Sequence, residues 1–259
     1  MTVPVTAPQA TPQSTPLVAT PLRATPLVTA RTEQKDHTTV NHTTEPALID
    51  GARPLSAETV QALNELCGQA EDAAVRTPLV LRVGGAPIPA TVPAPPLALV
   101  NKWERALRRL ERLDLPTVAL VSGDCGGVAL EVLLATDHRI AAPGSRLLLP
   151  AEADGVWPGM ALYRLANQAG IAATRQAVLF GGALPAERAL TLHLLDRIAD
   201  DPSAAVADTA EALIAASDGI AIRRQLMLDA GTTSFEEALG RHLAACDRLL
   251  RRAATAAAS

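Results

Sequence analysis

Lysine is almost missing from this chain. It occurs only at Lys35 and Lys102, so arginine carries nearly all the positive charge. The formal net charge is −4, which leaves no basic field for nucleic acid. Long apolar runs are missing too: none reaches the roughly 18 residues of a membrane span. No charged segment leads into an apolar core near the N-terminus, so neither a membrane span nor a secretory signal is expected. Cysteine is scarce, with Cys67, Cys125 and Cys246 widely spaced and odd in number. That spacing suits no metal site and no disulfide framework. It predicts free thiols in a reducing cytoplasm, and no metal.

What is present is a chain of 259 residues, 48% hydrophobic, enough for one large domain or two small ones. Residues 1–45 differ from the rest. Thr-Pro recurs at 11–12, 15–16, 20–21 and 25–26. Each proline removes a donor and fixes φ, which predicts a disordered, extended arm, either a dispensable tail or a docking segment. Beyond it, strand-like segments at 47–50, 79–83, 117–122, 138–141, 145–149 and 195–198 alternate with helical spacing at 57–74, 99–113, 128–135, 160–169, 173–180 and 186–191. Alternation of this kind predicts an α/β core with right-handed crossovers over 46–200. A helical region follows over 201–253. In its last helix Phe235, Leu239, Leu243, Cys246 and Leu250 share one face, suited to docking on the core or on another subunit.

The chain is organised around Pro116 to Gly159. Thr117–Ser122 is apolar and β-branched, bounded by Pro116 and Gly123. Gly123-Asp124-Cys125-Gly126-Gly127 then reads as a turn, and Val128–Ala135 as a buried helix. A helix that starts at a glycine turn points free backbone N–H groups at whatever lies over it. One carboxylate, Glu131, sits a turn inside this otherwise apolar helix. Buried there, it needs a partner, a proton or a catalytic task. An arginine partner would make it structural. A raised pKa among apolar neighbours would make it a general acid. His138 reads as structural. Ser122 lacks the nucleophile elbow, and Gly126-Gly127 lacks the lysine of a phosphate loop.

Several segments in order resemble the crotonase (enoyl-CoA hydratase/isomerase) superfamily. Leu115-Pro116-Thr117-Val118-Ala119-Leu120-Val121-Ser122-Gly123 resembles its Pro-led core strand, and Gly127-Val128-Ala129-Leu130-Glu131 its glycine run followed by glutamate. Asp137 falls on the aspartate that closes that helix, and Gly155-Val156-Trp157-Pro158-Gly159 on the Gly-x-x-Pro-Gly turn. Phe180–Ala189 and Leu194-Leu195-Asp196 match two later segments. The resemblance spans about 47–252.

It implies an α/β fold: a ββα spiral core with a C-terminal helical trimerisation region. It also implies an acyl-CoA thioester ligand, with coenzyme A arriving as part of the substrate and no other cofactor. Two backbone N–H groups would form an oxyanion hole. One maps onto Val128, where the family has glycine. The other belongs to the proline-rich loop after Gly84-Gly85, where Ala86, Ile88 or Ala90 could supply it. Glu131 takes the first catalytic carboxylate position. The second falls on Ala151, so either the neighbouring Glu152 replaces it or it is missing. Exposed loop glutamates are common, so Glu152 carries both readings. Gly127, Cys125 and Trp157 would line the substrate, although Cys125 also reads as a small core residue and Trp157 as loop packing. Among family branches, Ser122–Val128 and Pro150–Gly159 resemble the small auxiliary crotonase-like proteins of 3,5-dihydroxyphenylglycine (antibiotic) biosynthesis. That branch implies help with dehydration and aromatisation of a polyketide-CoA to 3,5-dihydroxyphenylacetyl-CoA, beside a type III polyketide synthase. The protein would be a lyase-like dehydratase or isomerase with a degenerate site, in a homo- or hetero-oligomer, trimer-based, with another crotonase homologue or the synthase. A non-catalytic enhancer subunit and a generic enoyl-CoA hydratase are the alternatives.

Overall fold

The computed structural model describes residues 46–87, 95–149, 159–215 and 217–257. The Thr-Pro arm over 1–45 lies outside them. So do Ile88, Ala90, Ala151, Glu152 and Trp157. In chain order the elements are β1 (Leu48–Asp50), α1 (Ala57–Asp72), β2 (Leu79–Gly85), α2 (Leu97–Leu110), β3 (Thr117–Cys125), α3 (Gly127–Leu134), β4 (His138–Ala141), β5 (Arg146–Leu148), α4 (Ala161–Ala169), α5 (Ile171–Phe180), β6 (Ala183–Pro185), α6 (Ala186–Thr191), β7 (Arg197–Ile198), α7 (Pro202–Ala215), α8 (Ile220–Asp229) and α9 (Phe235–Ala257). The order confirms an α/β fold with a helical C-terminal region.

The sheet runs β1-β2-β3-β4-β7, with every neighbouring pair parallel. β5 adds to β3 in parallel, and β6 pairs antiparallel with β5. β3 lies at the centre and is apolar on both faces, as a fully covered parallel strand should be. Ala119 and Val121 point into the main core with Leu130, Leu133 and Trp103. Val118 and Leu120 point the other way and pack with Ile140 and with Ala205 of α7. The period of two in the sequence is therefore a sorting between two helical layers.

Two differences from the sequence reading have local causes. β3 does not stop at Ser122 but runs on through Gly123, Asp124 and Cys125. Asp124 and Cys125 gain a new neighbour there, pairing with Arg146 and Leu147 of β5. The Arg146 guanidinium binds both oxygens of Asp124, each at 2.7 Å. The turn is thus shortened to Gly126. β6 has no signal in the sequence, because three residues after Gly181-Gly182 carry too little pattern to read.

Ser56 caps α1, accepting from Thr59 N at 3.2 Å. The far end of α3 is held by Arg139, which donates to Leu134 O at 2.9 Å and Thr136 O at 3.0 Å. Burial lowers the pKa of this guanidinium to about 10, so it stays charged at neutral pH. A cation at these last carbonyls is where the helix dipole favours one. In α9, Phe235, Leu239, Leu243 and Leu250 stand exposed, so this apolar face is not spent on the chain's own core. Among the described residues no helix is long and apolar enough to cross a membrane.

Candidate active site

The site is assembled where β1, β2, β3 and the start of α3 meet. Gly51 N donates to Gly84 O at 2.7 Å, and Gly126 N to Gly85 O at 2.9 Å. The backbones approach so closely that a Cβ on Gly127 would lie 2.8 Å from Pro87 Cγ and 2.9 Å from Gly51 O. Gly127 also has φ +53°, a conformation that disfavours any side chain. Only glycine opens α3 here.

No side chain caps α3. Its first-turn N–H groups therefore keep the partial positive charge of a helix N-terminus. The Val128 N–H has no acceptor among the described residues. The Ala86-Pro87 step lies against the same turn: Ala86 Cβ is 3.3 Å from where a Cβ on Gly126 would stand. The structure thus brings together the two segments predicted to supply oxyanion donors. Val128 itself is buried, and the Pro87 ring packs over Gly127.

Glu131 lies one turn further along α3, on a helix that is buried at every position. The carboxylate, only 1% exposed, accepts a hydrogen bond from Trp103 Nε1 of α2 at 2.6 Å. The arginine of the neighbouring α4, Arg164, is engaged with Glu104 at 3.0 Å and Glu111 at 2.9 Å. No local pattern signals the Trp103 bond, since the two residues are 28 positions apart. Helical spacing over 99–113 marks Trp103 only as an apolar position of α2.

On its other side the carboxylate meets Gly159, just before α4. A Cβ added to Gly159 would overlap Glu131 Oε1 outright. The last glycine of the Gly-x-x-Pro-Gly turn therefore makes room for the carboxylate. Met160 N, next along, donates to Glu104 Oε1 at 3.1 Å and ties the start of α4 to α2. Gly159→Ala is expected to push Glu131 off its Trp103 bond and to cost about 1–3 kcal/mol, the usual range for overpacking a filled site. Thermal denaturation measures that cost, and an unchanged midpoint would contradict the contact.

The other candidates separate. Cys125 is fully buried at the end of β3, and burial pushes its thiol pKa far upward, so it is an inert neighbour of the turn. Cys67 is likewise buried in α1, its thiol pushed up to about 11. Glu152 and Trp157 lie outside the described residues. His138 Nδ1 sits 3.4 Å from Asp196 Oδ2, a pairing at the start of β4 well suited to a structural role. Asp137, the aspartate that closes α3, accepts from Thr117 N and Thr117 Oγ1 at 2.9 Å each. A surface cavity of about 420 Å³ between β7 and α7 holds none of the candidate residues.

The molecule is therefore a parallel α/β protein with a buried, tryptophan-bound carboxylate one turn from an uncapped helix start. Comparison with known proteins gives this description a family. The enoyl-CoA hydratase/isomerase family matches residues 97–257. A protein of Amycolatopsis orientalis named enoyl-CoA-hydratase is 50% identical over 209 residues, spanning 80% of this chain and 96% of its own. A second protein of that organism, a (3,5-dihydroxyphenyl)acetyl-CoA 1,2-dioxygenase, is 33% identical over 117 residues, 44% of this chain but 26% of its own. The crystal structure of an enoyl-CoA hydratase from Shewanella pealeana shares the fold with a TM-score of 0.65 at 21% identity, covering 78% of this chain and 79% of that one. The chain belongs to the enoyl-CoA hydratase/isomerase (crotonase) family. Acyl-CoA thioesters are the ligand class consistent with that membership.

Proposed function

We propose that the protein acts on a polyketide held as a CoA thioester, aiding the loss of water and aromatisation that yield 3,5-dihydroxyphenylacetyl-CoA, beside a type III polyketide synthase. The observation that carries the chemistry is the placement of Glu131 one turn from the Val128 N–H. Glu131 takes the proton α to the thioester. The charge gathers on the thioester oxygen, facing the N–H groups of the α3 start and of Ala86. The β C–O bond then breaks, and the proton held by Glu131 leaves with the hydroxide as water. One carboxylate balances this elimination, so Glu152 is not required for it. Support for the substrate comes from the relative named for (3,5-dihydroxyphenyl)acetyl-CoA, together with the motif resemblance of Ser122–Val128.

A second reading is a binding subunit that enhances its partner without chemistry of its own. The buried Val128 and the Pro87 ring over Gly127 favour it, because both narrow the approach to the N–H groups. Assembly in either case would use the exposed apolar face of α9, with a second copy, another crotonase homologue or the synthase.

The test adds the protein to the type III synthase with malonyl-CoA and follows CoA-bound products by mass spectrometry. The expected result is a rise in 3,5-dihydroxyphenylacetyl-CoA relative to the synthase alone. No change in rate or product would overturn the assignment. Rapid hydration of crotonyl-CoA would instead favour a generic hydratase, the name borne by the Amycolatopsis relative.

A further inference from the structure

We propose that Trp103 is a positioning residue for Glu131: its indole N–H holds Oε2 and thereby turns Oε1 to the Gly159 side as the oxygen that exchanges protons with the thioester. The proposal rests on the reading of Glu131 as the proton-transfer group.

Three observations carry it. The bond is short, 2.6 Å, and lies in the interior, with Trp103 0% and Glu131 1% exposed. An indole N–H donates and never accepts. A donor on a carboxylate makes a charge-assisted bond, stronger than a neutral one. The second observation is the contact opposite. Oε1 lies against Gly159, at the one position where a missing Cβ leaves it space. The carboxylate plane is therefore set from both sides. The third is the arrangement of α2. Its consecutive residues Trp103 and Glu104 hold Glu131 and the Met160 N–H respectively. One helix thus fixes both the carboxylate and the Gly159-Met160 step that faces it, and Arg164 locks Glu104 in place at 3.0 Å.

Packing alone does not ask for this. Burial beside Leu107 and Leu130 asks only for a large apolar side chain at 103, a demand that phenylalanine meets in character though with some loss of volume. What tryptophan adds is a donor at the end of a rigid ring with two χ angles. Proton transfer depends on geometry held to a fraction of an ångström, so a carboxylate free to rotate about its last bond loses rate rather than binding.

The experiment has two arms. In the first, α-proton exchange of phenylacetyl-CoA in D2O is followed by NMR. Trp103→Phe is expected to lower kcat by about 10- to 100-fold, the equivalent of one hydrogen bond to a charged group, with KM within about twofold. Trp103→His, which keeps a ring N–H, is expected to recover part of that loss. A Trp103→Phe protein that changes kcat and KM together, or neither, overturns the proposal. The second arm needs no turnover. The chain has two tryptophans, so Trp157→Phe leaves Trp103 as the sole indole, a background used for spectra alone. Its ultraviolet resonance Raman N–H band is expected to shift when Glu131→Gln replaces a charged acceptor by a neutral one. An unshifted band overturns the Trp103 bond whatever the turnover, and does so even where Trp103→Phe fails to fold. Absence of exchange in the unaltered protein overturns the functional reading instead, and is distinguished by the band.

Discussion

Glu131→Gln is expected to slow thioester proton exchange by about 100- to 10,000-fold, the range for a positioned acid–base group. Fold and thermal midpoint should change little, because glutamine matches the shape of glutamate and still offers Trp103 an amide oxygen. The size of the effect follows from the seclusion of the site. Glu131 is the only ionisable residue in α3, and every other residue of that helix is apolar or glycine. No neighbour on the helix can take over its proton. The same variant separates the two functional readings. An enzyme loses its effect on the products of the synthase when Glu131 becomes glutamine. An enhancer keeps both that effect and its copurification with the partner. Undiminished product formation with an intact fold would end the catalytic reading.

The parts of this site legible in the sequence are those carried by short-range pattern. The apolar run Val118–Val121, the glycines before α3 and the single carboxylate in Val128–Leu134 sit within a few residues of one another. Their periodicity and composition follow from being strand, turn and helix in succession. The family resemblance added order over a longer span, and the match over 97–257 supports it. What stayed hidden was fixed by contacts between elements far apart in the sequence. Trp103 reads only as an apolar position of an amphipathic helix until α2 is laid beside α3. Gly159 reads as a turn glycine until Glu131 is seen to occupy its Cβ space. The continuation of β3 through Gly123 depends on β5, a partner 22 residues away that no local propensity reports. The apolar stripe of α9 was legible as a stripe, and the structure leaves it exposed. Periodicity shows that a face will be covered but not by what.

Arg224 illustrates the same limit, and it carries the largest expected effect on stability. In the sequence it is one of two adjacent arginines in a helix, Arg223-Arg224. In the structure it is 5% exposed and reaches across the chain. Its guanidinium grips Asp137 at 2.6 and 2.5 Å and donates to Glu111 O at 3.0 Å, Leu113 O at 2.7 Å and Leu115 O at 3.1 Å. Those carbonyls belong to the turn between α2 and β3, and Asp137 to the turn between α3 and β4. One side chain of α8 therefore ties the helical region to the two adjacent turns, α2–β3 and α3–β4, at one end of the layer that bears Glu131 and Trp103. Arg224→Met is expected to destabilise the fold by about 3 kcal/mol. That is the low end for breaking a buried ion pair, because the Asp137 side chain keeps 23% exposure and can be partly hydrated. Arg224→Lys should fall between the two, since an ammonium restores the charge but not the planar fork that serves Asp137 and three carbonyls at once. Asp137→Asn combined with Arg224→Met should cost less than the sum of the separate losses, because each single change strands the charge of the other. Denaturant unfolding of the four proteins measures the coupling. Strict additivity would mean that the carbonyl contacts, and not the ion pair, hold α8 to the core.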